Sequence, residues 1–395
     1  VVRYFVPAVI SIAVVSALIW LISGKGLEFS VTVLVSVLVI ACPCALGLAT
    51  PLAIIVGTTR GADVGILFKN AEALQTAAGI DVVVFDKTGT LTEGRPVVTD
   101  SVSLIERNSM LRIAASAEYG SEHPVGRAVV EYAEGEGISV SGPESFEALV
   151  GSGLRAFVDG SEVLIGNRSL MDDNKIDVSR LEGEFSKLSG EGKTVMYIAS
   201  EGALTGIIAV SDRMRDSSKE AVASLRSMGI GSVMITGDGE ATARAIAAQA
   251  GIDEVMAHMM PWQKVEGVSA LQENGRKVAM VGDGINDAPA LVKSDLGIAI
   301  GSGTDIAMES ADVVIMSNDV RSVPAIARIG RATIRNVKQN LFLAFIYNVI
   351  GIPIAAGALY LVGGPLLNPM IAAGAMSLSS LSVVLNALRL TVAKI

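Results

Sequence analysis

Four stretches of the chain are apolar almost without interruption: Tyr4 to Ile22, Val31 to Gly57, Asn340 to Val362 and Pro369 to Leu390. Each reaches the roughly 20 residues that a helix needs to span hydrocarbon. They form two hairpins with short connections, Ser23 to Glu28 and Gly363 to Asn368, on either side of a polar region from Arg60 to Lys338. A region that long and that charged is a folded head, not a loop. Inside it the pattern shifts to short continuous apolar runs that end in carboxylates: Ile80 to Asp86, Gly231 to Asp238, and Lys277 to Asp287. Such runs read as buried parallel strands delivering residues to the C-terminal edge of a sheet. Between the first run and the other two, Gly153 to Asp159 and Glu162 to Gly166 alternate as half-buried antiparallel strands do. The predicted fold is a doubly wound α/β domain with an α+β domain inserted after its first strand, plus four transmembrane α-helices. Its predicted limits are 1–70 for the first helix pair, 71–95 and 208–330 for the α/β domain, 96–207 for the insert and 331–395 for the second helix pair.

Composition agrees with a mixed protein. The chain is 51% hydrophobic yet carries a net charge of −9, with a mean hydropathy of +0.53. The acidic balance argues against a nucleic-acid partner. Arg60 and Lys69 on one side, and Arg321, Arg328, Arg331, Arg335 and Lys338 on the other, crowd the places where head meets membrane. The positive-inside rule therefore puts the head and both chain ends in the cytoplasm. The first apolar run lacks a basic leader and a small-residue cleavage pattern, so no signal peptide is expected. The chain begins at Val1 rather than Met, so an upstream part is expected to be missing.

The strand ends carry the chemistry. Asp86-Lys87-Thr88-Gly89-Thr90 offers a nucleophilic carboxylate with donors beside it, and an acyl phosphate splits one hard transfer into two easier ones. Phosphoryl transfer otherwise asks for charge neutralisation and positioning. Asp86 and Asp283 are candidate Mg²⁺ ligands, with Thr88 beside them; Asn286 and Asp287 are placed to organise that site. Thr236, Gly237 and Asp238 are candidates to hold phosphoryl oxygens, and Lys264 to neutralise their charge.

With DKTGT, TGD and GDGIND in this order on three strands, the chain resembles the P-type ATPases, cation pumps of the haloacid dehalogenase superfamily. The resemblance covers essentially the whole chain and makes Asp86 the phosphorylated aspartate. It implies a haloacid-dehalogenase-like phosphorylation domain with an inserted nucleotide-binding domain, using ATP and Mg²⁺. Phosphatases of that superfamily carry a second aspartate two positions after the nucleophile, where this chain has Thr88, so a phosphoaspartate should persist. In heavy-metal members a histidine in an HP context lies beside adenine, and here that is His123-Pro124. Glu118, Gly151, Gly153, Gly166 and Asn167 match the rest of that pocket, and Asp212 and Arg215 match a hinge element near the phosphates. Where the family often has asparagine after TGD, this chain has Gly239, which puts that one side-chain contact in doubt.

Both cysteines of the chain, Cys42 and Cys44, flank Pro43 inside the second apolar run. Pro43 and Pro51 each remove a backbone hydrogen bond, so a kinked or unwound helix is expected around the sulfurs. Two cysteines at i and i+2 across a proline are expected to stay reduced. From Val320 to Ile395 there is no Asp or Glu, which removes carboxylate ligands from the last two helices. Tyr347, Asn348, Met376 and Ser379 remain, and a thioether with two thiolates suits a soft monovalent ion. These residues resemble the copper(I) subgroup of type IB heavy-metal ATPases, which implies Cu⁺ as the transported ion. Zinc exporters of the family carry an intramembrane lysine and aspartate that are not found here.

The resemblance implies export of Cu(I), with Ag(I) next and Zn²⁺ or Cd²⁺ behind it. A truncated, non-pumping membrane-tethered phosphatase or metal sensor is the competing class. Ser189-Gly190-Glu191-Gly192 reads as a turn and not as the TGE loop of an actuator domain. Expected partners are the lipid bilayer, a cytoplasmic copper donor, and an actuator domain with upstream helices, in cis or as a separate chain. The expected location is the cell membrane.

Overall fold

The computed structural model describes residues 2–42, 44–121, 123–149, 151–283, 287–301 and 305–393. Asn286, one of the residues singled out above, lies outside them. By contacts the chain divides into two compact units, one made of Val1–Gly79 with Ala325–Ile395, the other of Ile80–Pro324.

Among the described residues, the structure has four helical spans long and apolar enough to cross a membrane. The helix Val2–Ile22 is followed by Leu27–Ile40 and Cys44–Asp63. The run expected as one span is thus two helices meeting at the cysteines. Pro51 sits within the second of these helices without ending it. A short strand β1 (Ile66–Phe68) and the helix Ala71–Ala78 complete the N-terminal part. The third span begins earlier than the apolar pattern suggested and stops sooner: it runs Ser322–Ala355. Its first turns bury Val323, Ile326, Ala327 and Ile329 and carry Arg328, Arg331 and Arg335 at positions less buried than these, the two-sided pattern of an amphipathic helix. It ends where Gly357, at φ +99°, packs on the Trp20 ring, 2.7 Å from a position that any Cβ would take. The last span is Pro369–Leu388.

Small residues let these helices approach closely, as membrane helices do without a hydrophobic force between them. Ala45, Ala49 and Ala344 pack with Val383 in one buried cluster. At the other end Trp20, Phe29 and Tyr360 meet edge to face, with centroids 5.0 to 5.5 Å apart.

In the second unit, β2 (Val82–Asp86) is fully buried along its length. It lies between β11 (Val278–Gly282) and β9 (Gly231–Ile235), parallel to both. Strands β12 (Leu296–Ile300) and β13 (Val313–Ile315) extend one side and β10 (Glu254–Met256) the other, again all parallel. Parallel strands need crossover helices, and the helices Asp216–Ser227, Glu240–Ala250, Pro261–Glu273 and Ala288–Lys293 supply them. The apolar runs of the sequence are the centre of this sheet, buried because both faces are covered.

A second sheet rises from the loop that follows β2. Its strand order is β3-β8-β7-β6-β5-β4. The stem is the antiparallel pair β3 (Thr92–Ser103) and β8 (Ala203–Met214). Beyond it lie β7 (Thr194–Ser200), β6 (Ser161–Gly166), β5 (Gly153–Val158) and β4 (Ser145–Leu149). The helices Arg107–Glu118 and Pro124–Gly135 cover one face through Met110, Leu111, Ala114 and Val129. Leu170, Met171, Leu181 and Leu188 cover the other.

Candidate functional site

Three neighbouring strands end at one place. Asp86 closes β2, Thr236 follows β9 and Asp283 follows β11. The loop after Asp86 leaves regular geometry at Thr88 and Gly89. Gly89 has φ +73°, and a Cβ there would stand 1.7 Å from Asp283 Oδ2, so only glycine lets the loop pass the Asp283 carboxylate. Arg215 holds the same loop from outside, donating from Nε to Thr90 O at 3.2 Å and from Nη2 to Gly89 O at 2.9 Å. Asp212 accepts from Thr92 Oγ1 at 2.5 Å and from Arg95 N at 3.2 Å. Both residues brace the loop after Asp86 and the base of the stem.

Lys264, on the helix Pro261–Glu273, donates from Nζ to Asp86 Oδ1 at 2.6 Å and to Asp287 Oδ1 at 2.7 Å. All three side chains are buried. Burial, and then the neighbouring Asp287 charge, push the Asp86 carboxyl up to about 7 against the pull of Lys264. Burial and Asp287 likewise push Asp283 up to about 6. Carboxylate oxygens of Asp86, Asp283 and Asp287 lie within 4.8 Å of one another. Three crowded carboxylates, with Asp86 and Asp283 held above their ordinary range and one lysine among them, are short of positive charge, and a hard divalent cation with oxygen ligands corrects that. The sequence reading gave Asp287 an organising role; its oxygens lie within the carboxylate group itself.

Lys87 donates from Nζ to Asp238 Oδ2 at 2.6 Å. The Thr236 hydroxyl accepts from the Asp238 amide at 3.1 Å, which folds the turn on itself. His258, in the left-handed region at φ +56°, steadies this turn by donating from its amide to Asp238 O at 2.9 Å. No sequence signal pointed to that histidine. Thr88 is exposed beside the buried cluster.

The second sheet carries a cavity of about 460 Å³, lined by Glu118, His123, Gly151, Gly153, Gly166 and Asn167 among others. The residues expected in that pocket therefore converge, while Asp212 and Arg215, expected at a hinge element near the phosphates, brace the loop after Asp86. Gly153 and Gly166 face each other across β5 and β6. A Cβ on Gly153 would stand 2.1 Å from Ile165 O, and one on Gly166 2.1 Å from Ser152 O. Their bareness is required by the adjoining strand, before any ligand is considered. Asn167 donates from Nδ2 to Gly151 O at 2.9 Å and caps the helix Arg168–Asp173 through Leu170 N. His123 caps the helix Pro124–Gly135, its Nδ1 accepting from Val125 N at 3.3 Å. Burial raises the Glu118 carboxyl, and Gly126 makes room for it, since a Cβ would lie 2.2 Å from Glu118 Oε2. Phe146, with Ala148 on the same face of β4, forms an apolar wall the sequence reading missed. Period-two alternation from Phe146 was the available signal.

In the first unit the expectation for the cysteines needs correction. Cys42 and Cys44 are joined as a disulfide, with Cα atoms 5.5 Å apart. Within a continuous helix residues i and i+2 do not face each other. The helix ends at Ile40 and restarts at Cys44, and this break lets the two sulfurs converge. A metal ion is ligated by thiolates, so only the reduced dithiol could hold one, with the same convergence presenting the two sulfurs together. Asn348, Met376 and Ser379 are buried. Neither Asn348 Oδ1 nor Ser379 Oγ has a hydrogen-bond partner among the described residues. Tyr347 bonds Ser382 through their hydroxyls at 3.3 Å. It also lines a cavity of about 430 Å³ shared with Ile40, two residues before Cys42.

Residues 80–295 match the family described as haloacid dehalogenase-like hydrolase. Over 391 residues the chain is 50% identical to "Copper-transporting ATPase 1" of Rhizobium meliloti (strain 1021), covering 98% of this chain and 47% of that protein. It is 48% identical to the "Silver exporting P-type ATPase" of Salmonella typhimurium, covering 98% of this chain and 48% of that one. A crystal structure of a zinc-transporting PIB-type ATPase in the E2.Pi state superposes with a TM-score of 0.86 at 35% identity, covering 98% of this chain and 63% of that one. The chain thus spans about half the length of the curated relatives it matches.

Proposed function

The chain belongs to the haloacid dehalogenase-like hydrolase family, and from that premise we propose that it carries the phosphorylation, nucleotide-binding and metal-binding parts of an ATP-driven exporter of Cu(I). The observation that carries this reading is the Lys264 bridge between Asp86 and Asp287, within a cluster that also holds Asp283, at the C-terminal edge of the parallel sheet. In the proposed reaction ATP binds in the Glu118–His123 cavity of residues 96–207. An Asp86 oxygen attacks the γ-phosphorus as the bond to the ADP oxygen breaks; ADP leaves and Asp86 keeps the phosphoryl group. Asp86, Asp283 and the Thr88 main chain are the residues to hold Mg²⁺, with Asp287 alongside. Bound there, Mg²⁺ would neutralise phosphoryl charge. Lys264 balances the carboxylates, and Thr236 and the Gly237 amide receive phosphoryl oxygens. Thr88 offers no carboxylate to activate water, so the acyl phosphate lasts long enough to drive a conformational step.

The cargo reading rests on donor chemistry. Reduced Cys42 and Cys44 with Met376 are soft sulfur ligands, and no carboxylate lies between Val320 and Ile395. The relative named as a silver exporter is matched nearly as well as the copper-transporting one, and Ag(I) asks for the same ligands. Head and chain ends are assigned to the cytoplasm from the arginines flanking the spans, with the cell membrane as the location and a cytoplasmic copper donor as a partner. The test is titration of the reduced chain with Cu(I), Ag(I) and Zn²⁺. Cu(I) or Ag(I) binding lost in Cys42→Ser and weakened in Met376→Ala supports the reading. Zn²⁺ binding that survives Met376→Ala, with no Cu(I) binding, overturns it.

A further inference from the structure

The third and last spans share a buried amide cluster that neither phosphorylation nor metal ligation uses. Asn340 donates from Nδ2 to Ala49 O at 3.0 Å and to Asn336 Oδ1 at 3.1 Å. Asn386 donates from Nδ2 to Asn340 Oδ1 at 2.8 Å. Asn336 donates in turn from Nδ2 to Asn386 O at 2.7 Å. Gln339 accepts from Asn386 Nδ2 at 3.4 Å, and Arg389 donates to Asn386 Oδ1 at 3.3 Å. The exposures of Asn336, Asn340 and Asn386 are 5%, 0% and 7%. Buried amides this well satisfied fix a geometry, because any slip of one helix leaves a polar group without a partner.

The three helices tied together are the ones that carry the candidate metal ligands. Ala49 lies on the helix that begins at Cys44. Asn336 and Asn340 lie one turn apart on one face, and Asn340 precedes Tyr347 and Asn348 on the same helix by about two turns. Asn386 follows Ser379 on the last span by about two turns. Ala45, Ala49 and Ala344 pack with Val383 within this layer, and the amides add directional hydrogen bonds to that packing.

Resting on the metal reading above, we propose that Asn336, Asn340 and Asn386 are positioning residues. They set the rotation and height of the Cys44 helix against the Tyr347–Asn348 and Met376–Ser379 helices, and so set the affinity of the soft-ion site without touching the ion. Leucine has the same number of side-chain heavy atoms as asparagine, branched at the same carbon, and lacks the amide, so Asn340→Leu and Asn386→Leu break the cluster without opening a cavity.

The experiment is competition of the reduced full chain in detergent against a chromogenic Cu(I) chelator, with X-ray absorption at the copper edge and ATP binding measured alongside. Cu(I) affinity should fall ~10-fold in either variant, as for residues that orient ligands. The number of copper–sulfur contacts should change, while ATP affinity and helix content stay at wild-type values. Asn386→Ser, shorter and still polar, should move affinity the same way by a smaller factor, which covers the case in which a leucine variant does not fold. Folded variants that bind Cu(I) as wild type does overturn the positioning role. A wild-type chain that binds no Cu(I) overturns the metal reading first, and this proposal with it.

Discussion

Replacing Lys264 by methionine keeps the length of the side chain and removes its charge. The ammonium touches Asp86 at 2.6 Å and Asp287 at 2.7 Å, and exposures of 8%, 6% and 2% for Lys264, Asp86 and Asp287 leave little water to compensate. Taking one partner out of a buried pair costs about 3–5 kcal/mol. Here the lower end applies, because Asp86 already sits at about 7 and relieves the site by keeping a proton. About 3 kcal/mol in a unit of this size lowers the melting temperature by roughly 6–12 °C. The relief has its own consequence, since a protonated Asp86 is not a nucleophile. Loss of the cation beside the transferring group should lower phosphorylation by about 100-fold or more. Thermal scanning by circular dichroism and labelling with [γ-³²P]ATP read the two effects separately. Adding Asp287→Asn to Lys264→Met should recover most of the melting temperature and none of the phosphorylation. A Lys264→Met chain that melts within about 1 °C of wild type and still labels would refute this account of the cluster.

Gly89→Ala forces φ +73° on a residue with a Cβ and drives that atom onto Asp283; the backbone alone costs about 1–2 kcal/mol, and Mg²⁺ affinity measured by calorimetry should fall at least tenfold with ATP affinity unchanged. With Asp86 at about 7 and Asp283 at about 6, Mg²⁺ competes with protons, so its apparent affinity should drop as pH falls from 8 to 5.5. The sign for stability is the reverse without metal: native carboxyls titrating above the unfolded value bind more protons, so the metal-free chain should lose stability as pH rises from about 4 to 7, and saturating Mg²⁺ should abolish that trend. His123→Asn keeps an N-cap for the helix Pro124–Gly135 but removes the ring from the cavity, so ATP affinity should fall by about tenfold with no change in melting temperature, whereas His123→Ala should lose both.

The sheet strands were legible in the sequence because buried parallel strands are written as continuous apolar runs, and Asp86, Thr236 and Asp283 because each stands at the end of such a run. The residues that line the cavity of the second sheet were gathered from a resemblance; read alone, Gly153 and Gly166 make a hairpin feature, and their backbone contacts require bare glycines there. Three things were not legible. The start of the third span at Ser322 was hidden because arginines on one helical face break a hydropathy run without breaking a helix. The closing of Cys42 on Cys44 depends on where the helix is interrupted, and a proline announces an interruption without its geometry. The bracing by His258 and by the asparagine cluster joins residues far apart in the chain, and no local pattern encodes a long-range hydrogen bond.

In the proposed reaction Asp86 takes the γ-phosphoryl group of ATP and holds it. The direct measurement is incorporation of ³²P from [γ-³²P]ATP and Mg²⁺ into the purified chain, followed by acid quench and hydroxylamine. An acid-stable, hydroxylamine-labile label should accumulate with little turnover and be absent from Asp86→Asn. Label that persists in Asp86→Asn, or no label in a chain shown to bind ATP and Mg²⁺, would contradict it.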